Sequence, residues 1–247
     1  MTSIIDYTCL PFPVRKNLVA AHQRAWARLA SPGTWWEGQT RVAIAAEARK
    51  ARTCGFCRTR KEALSPYAVE GTHDSNDTLP GALIEVIHRV ATDQSRLTRA
   101  FYETALEDGI SDGEYIETIG IIATVFAIDG FTRAIGLPEF ALPDPEPGEA
   151  SRHRPAGAKT DHAWVPRVAP EDVTEAEAGL YDGLSGANIH RALSLVPDEA
   201  IGFFDIDAVQ YLPDAQLRDF GTEYRDLTHV QIELLAARVS ALNQCVY

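Results

Sequence analysis

Two cysteines separated by two residues, Cys54 and Cys57 in Arg52-Thr53-Cys54-Gly55-Phe56-Cys57, are the residues best placed to do chemistry in this chain. A C-x-x-C pair on one helical turn holds two sulfurs close enough to bond to each other with modest adjustment. Thr53 is the expected N-cap, which puts Cys54 at the start of a helix. Unpaired backbone N–H groups and the helix dipole there favour a thiolate. Arg52, Arg58, Arg60 and Lys61 add positive potential. The chemistry such a pair serves is thiol–disulfide exchange or attack by a thiolate. Two cysteines that merely fill a core are the plainer alternative. A zinc site is not expected, because Cys9, His73 and His88 have no familiar ligand spacing to the pair. Cys9 reads as structural.

The C-terminus repeats part of this element. When Cys245 is laid on Cys54, an offset of 191, Ile44 falls on Leu235, Ala45-Ala46 on Ala236-Ala237 and Phe56 on Tyr247. Glu233 precedes Cys245 by twelve residues, about 18 Å along a straight helix. The two can meet only if the chain turns back near Leu242-Asn243. Asn243 is a good N-cap for a new helix, yet only four residues follow it, too few for a helix. The expectation is a chain cut one residue before the second sulfur of a second C-x-x-C. His229 lies one turn before Glu233 on the same face and could orient or titrate it. An ordinary surface histidine beside a carboxylate is the competing reading, and a solvated helix glutamate competes for Glu233.

The elements that must carry these residues read as helices. Leu18 to Leu29, Thr40 to Ala51, and one long segment from Pro80-Gly81 to Glu107 have helical spacing or composition. Ser111-Asp112-Gly113-Glu114 fits a capping box that opens a helix running to about Ile135. Helix signals resume at Thr174 to Asp182, Ala187 to Leu195, Asp198 to Phe204 and Leu227 to Leu242. No β alternation is sustained, so the fold class expected is all-α. Seven prolines between 137 and 170 mark an inter-domain linker, in which His153 and His162 read as mobile and not as metal ligands. Trp35-Trp36 reads as packing between helices. The expected division is a first unit over 1–137, a proline-rich linker over 138–170 and a partial second unit over 171–247.

Composition narrows the partners. The net charge is −12, and no basic run interleaves with aromatics, which argues against nucleic acid. No apolar stretch of about 18 residues suggests a membrane span, and Met1 to Lys16 has no continuous signal core. Four cysteines, two of them at C-x-x-C spacing, suit the reducing cytoplasm, with redox chemistry in place of structural bridges.

The segment ELLAARVSALNQCVY resembles the alkylhydroperoxidase D-like branch of the carboxymuconolactone decarboxylase superfamily, whose pattern is Glu-x11-Cys-x-x-Cys-x3-His. Glu233 and Cys245 match its first two positions; the second Cys and the His would fall at positions 248 and 252. Asp112 to Leu137 also looks like the helix that closes this fold. The resemblance implies two alkylhydroperoxidase D-like helical repeats, the second incomplete. In the first repeat Val42 stands where the Glu should be and Lys61 where the His should be. Some similar proteins carry selenocysteine at the second Cys, so position 248 is expected to be selenocysteine, read as a stop. The function implied is a thiol- or selenol-dependent peroxide reductase, an antioxidant oxidoreductase. The second chalcogen would attack the hydroperoxide and the first Cys, here Cys245, would resolve the product. Glu233 would relay protons, and a dithiol reductant such as a lipoyl group or a thioredoxin-like protein would regenerate the pair. No cofactor or metal is implied, and a homo-oligomer is. The alternatives are a non-catalytic thiol–disulfide or oligomerisation scaffold and a cofactor-free decarboxylase of the same superfamily. The second has no need of the C-x-x-C.

Overall fold

The computed structural model describes residues 5–245. Tyr247, which the repeat pairs with Phe56, and the expected positions beyond it lie outside the described residues. Among the described residues ten α-helices follow one another: α1 (Lys16–Ala30), α2 (Gly38–Ala51), α3 (Gly55–Glu62), α4 (Gly81–Thr92), α5 (Arg99–Glu107), α6 (Asp112–Ala134), α7 (Asn188–Arg191), α8 (Pro197–Gln210), α9 (Asp214–Leu217) and α10 (His229–Leu242). Among the described residues the only extended pairing is an isolated bridge between Lys159 and Arg167. The protein is all-α.

The core is built on α6. Its start carries the capping box expected: Ser111 accepts the Glu114 N–H, and Glu114 accepts the Ser111 N–H. Ile121, Ile122, Val125 and Ile128 are buried along it. α6 is long and apolar enough to cross a membrane by length and composition, unlike the sequence expectation, but 67% of its most apolar window is inside the protein. α2 packs against α1, α4 and α6, and α8 against α1 and α6. α2 can lie close because its inner stripe is small: Ala45, Ala48 and Ala51, with Ile44. Arg41 on that stripe is also buried. It forms ion pairs with Glu117 of α6 and, at 2.8 Å, with Glu199 of α8, tying three helices at one point. Burial pushes the Glu117 carboxyl up to about 7 against the pull of Arg41, with Glu199 adding to the rise.

The single helix expected from Pro80-Gly81 to Glu107 is broken. Asp93 leaves the helical region (φ −147°) and pairs with Arg89 and Arg96. Thr98 then caps a new helix by accepting the Phe101 N–H. The proline-rich stretch has no helix, as its composition requires, and it lies along the helical body. The Glu146 amide donates to Ala30, the Ser151 and Arg152 amides donate to Gly33 and Thr34, and Val168 is buried. His153 bonds Glu177 at 2.7 Å. Trp35 and Trp36 pack on the core as expected. A Cβ on Gly113 would lie 2.2 Å from the Trp35 ring, so only glycine admits that contact.

α10 stands apart in its packing. His229 is its only buried residue. Leu234, Leu235, Val239 and Leu242 are all exposed.

Candidate functional site

The C-x-x-C element is a helix start shifted by one residue from the expected one. α2 ends at Ala51, the chain tightens through i→i+3 bonds at Thr53 and Cys54, and Cys54, not Thr53, is the N-cap of α3. Its sulfur accepts the backbone N–H groups of Cys57 (3.5 Å) and Asp74 (3.3 Å). Burial alone would raise the Cys54 thiol. Those two amides and the His73 ring outweigh burial and bring the thiol below the usual range. The pair is walled in, with Cys54 2% and Cys57 4% exposed.

Two histidines reach the sulfurs from elsewhere in the chain. His73 lies in the loop between α3 and α4; its Nδ1 is 3.7 Å from Cys54 Sγ and 3.4 Å from Cys57 Sγ. His88 is on α4, fully buried, with Nδ1 3.1 Å from Cys57 Sγ. Each ring is held from behind by a carboxylate. His73 Nε2 is 2.8 Å from Glu85, which also binds Arg60, and His88 Nε2 is 2.7 Å from Glu47 of α2. The other oxygen of Glu47 accepts the Asn76 amide, which pins the loop. Burial opposes charge on His73, but its hydrogen bonds to Cys57, Glu85 and Cys54 raise it to about 10. Burial drives His88 the other way, below the ordinary imidazole value, with Glu47 opposing. The ring centroids of His73 and His88 are 4.0 Å apart, and the Phe56 ring meets His73 edge-on with centroids 5.1 Å apart. Gly71 makes room for Phe56, since a Cβ there would lie 2.6 Å from it.

A cavity of about 380 Å³ opens beside the sulfurs, lined by Arg52, Arg58, Lys61 and, from the C-terminal turn, Asn243. The cations expected from the sequence are therefore at its wall, except Arg60. That side chain turns to Glu85 and lies over Phe56.

The structure brings Cys54 and Cys57 together and keeps Glu233, His229 and Cys245 in a different arrangement. Glu233 accepts a hydrogen bond from Tyr211. His229 is buried, not a surface residue; it stacks on Phe220 with Nε2 3.5 Å from Glu233. Asn243 ends α10 and does not start a helix: with Gln244 left-handed (φ 55°), the Gln244 and Cys245 amides return to Ala241 and Ser240. Cys245 is a free, exposed thiol. Under the offset of 191, α2 and α10 nevertheless have the same bounds, Gly38 on His229 and Ala51 on Leu242.

Sequence reasoning missed Glu47 and Glu85, and it named His73 and His88 only to set them aside because their spacing to the pair is unfamiliar. Val42 and Lys61 occupy the places where a Glu and a His were sought, and the carboxylates and imidazoles come from other positions. One signal was readable: Glu47 is a charge on the stripe formed by Ile44, Ala48 and Ala51, a place that demands a partner. No protein-family model matches the chain. No curated protein and no solved structure matches it either.

Proposed function

We propose that Cys54 and Cys57 form a dithiol/disulfide centre that reduces hydroperoxides. The observation that carries this reading is the chain Glu47–His88–Cys57, with links of 2.7 Å and 3.1 Å, beside a second sulfur that caps a helix. In the step proposed, the Cys57 sulfur attacks the terminal peroxide oxygen and the O–O bond breaks. The departing alkoxide takes a proton held by the imidazoles, and Cys57 becomes a sulfenic acid. Cys54 then attacks that sulfur, water leaves, and a disulfide remains. A dithiol reductant restores both thiols and is oxidised in turn. Glu47 orients His88, and His73 with Glu85 supplies a positive charge that favours thiolate over thiol. The cations at the cavity wall suit a peroxide with a negatively charged tail.

The observation favouring a non-catalytic thiol scaffold is the burial of both sulfurs. Peroxide turnover separates the two. With the reduced full chain and a dithiol donor, Cys57→Ser abolishes turnover, and Cys54→Ser stops at a trappable sulfenic acid. Glu47→Gln lowers the rate by roughly 10²-fold, and Cys245→Ser leaves it unchanged. Turnover that survives in the Cys54→Ser/Cys57→Ser double variant removes the proposal.

A further inference from the structure

The same four side chains that hold the sulfurs also form a ligand set for a metal ion. Cys54 Sγ, Cys57 Sγ and one nitrogen each from His73 and His88 all lie within 4.8 Å of one another. A tetrahedral zinc ion with bonds of about 2.3 Å to sulfur and 2.0–2.1 Å to nitrogen separates its sulfur and nitrogen donors by about 3.5 Å. The sulfur–nitrogen distances here are 3.7, 3.4 and 3.1 Å.

The orientation of the rings argues further than the distances. A carboxylate only accepts hydrogen bonds. Glu85 and Glu47 therefore require a proton on Nε2 of His73 and of His88. A metal ion binds Nδ1 in place of any proton there, and both Nδ1 atoms face sulfur. Without a metal, protons on sulfur or on Nδ1 fill the space between these donors; a cation that displaces them meets two nitrogens and two sulfurs converging on one point. Metal-binding histidines are held in this way, the free N–H donated to a carboxylate that is itself anchored. Here Glu85 is anchored by Arg60 and Glu47 by the Asn76 amide.

The geometry points to a closed tetrahedral Cys2His2 site for a thiophilic divalent cation, zinc(II) first, formed by Cys54, Cys57, His73 and His88. Two thiolates and two imidazoles select zinc over magnesium or calcium, which prefer oxygen. Four protein ligands leave no position for substrate, so the ion acts on structure and on the sulfurs, which it occupies. Metal and peroxide thus compete for the reduced pair. The site itself needs only the thiols, and it stands whether or not they reduce peroxide.

The test uses the full chain, reduced and freed of metal with a chelator, titrated with cobalt(II) and then zinc(II) without peroxide. The expected result is one cobalt per chain with intense tetrahedral ligand-field bands and thiolate-to-cobalt charge transfer, both displaced by one equivalent of zinc. Cys54→Ser and His73→Gln each weaken binding at least tenfold, Glu85→Gln by roughly 10- to 100-fold, and Cys245→Ser not at all. Circular dichroism checks that the variants keep their helix. A weak octahedral spectrum, or a spectrum unchanged in Cys54→Ser and Cys57→Ser, overturns the site. Metal binding lost with peroxide turnover intact overturns this inference alone. Metal binding without turnover overturns only the redox reading.

Discussion

α2 and α10 are fourteen-residue helices that each lead to a cysteine three residues past their end, yet they live in different surroundings. On α2, Ile44, Ala48 and Ala51 are at most 1% exposed; their counterparts on α10, Leu235, Val239 and Leu242, are between 57% and 63% exposed. Both helices have an apolar stripe. Only α2 is packed on by α1, α4 and α6. The exits differ too. The chain leaves α2 through a tight turn straight into α3, whose first amides need an acceptor, and Cys54 is that acceptor. It leaves α10 through a left-handed residue, and Cys245 faces solvent. A cysteine at a given spacing from a helix is thus not a site. The site needs a second helix start to cap and side chains brought by other elements.

The largest test of this contrast is Arg41, whose counterpart on α10 is Ile232. Arg41→Met leaves Glu117 and Glu199 buried without their cation and is expected to cost about 3–5 kcal/mol, read from urea unfolding. Next come the stripes. Ile44→Ala costs about 2–5 kcal/mol, whereas Leu235→Ala, on the exposed stripe, costs within about 0.5 kcal/mol. Equal losses would show that α10 is as buried in solution as α2.

Acid separates the regions on a smaller scale. His22 of α1 is fully buried between Tyr7 (2.6 Å) and Gln210 (2.8 Å), and burial lowers its pKa to about 4. The folded value lies below the free one. The stabilisation is therefore complete above about pH 6.5 and is lost as pH falls through about 4, roughly 3 kcal/mol in all. In His22→Gln that part of the slope disappears, measured by urea midpoints between pH 7 and 4. A small gain is expected at the exit of α10. Gln244→Gly relieves a left-handed residue by about 0.5–1 kcal/mol, seen as slower hydrogen exchange of the Cys245 amide. No change there would mean that the turn is not the one described.

Much of the helical pattern was legible because its signals are local. The Ser111–Glu114 box and the apolar rhythm of α6 lie within a few residues of each other. Cys54 and Cys57 were legible for the same reason. The imidazoles were not: His73 and His88 are 16 and 31 residues beyond Cys57, one in a loop and one on another helix. Nothing nearby predicts that α4 turns His88 towards α2. The break at Asp93 was hidden because helical spacing continues on both sides, while the break itself involves Asp93 pairing with two arginines and Thr98 capping the next helix. Asn243 was ambiguous in kind, since asparagine serves both ends of a helix.

The carboxylate of Glu47 has two oxygens with different tenants, an imidazole that touches sulfur and an amide of the loop before α4. Cys57 is therefore two hydrogen bonds away from the carboxylate that anchors Asn76. The segment before α4 also touches the sulfurs directly through the Asp74 amide and the His73 ring, so a change of state at the sulfurs is expected to alter the hydrogen-exchange protection of the Asp74 and Asn76 amides.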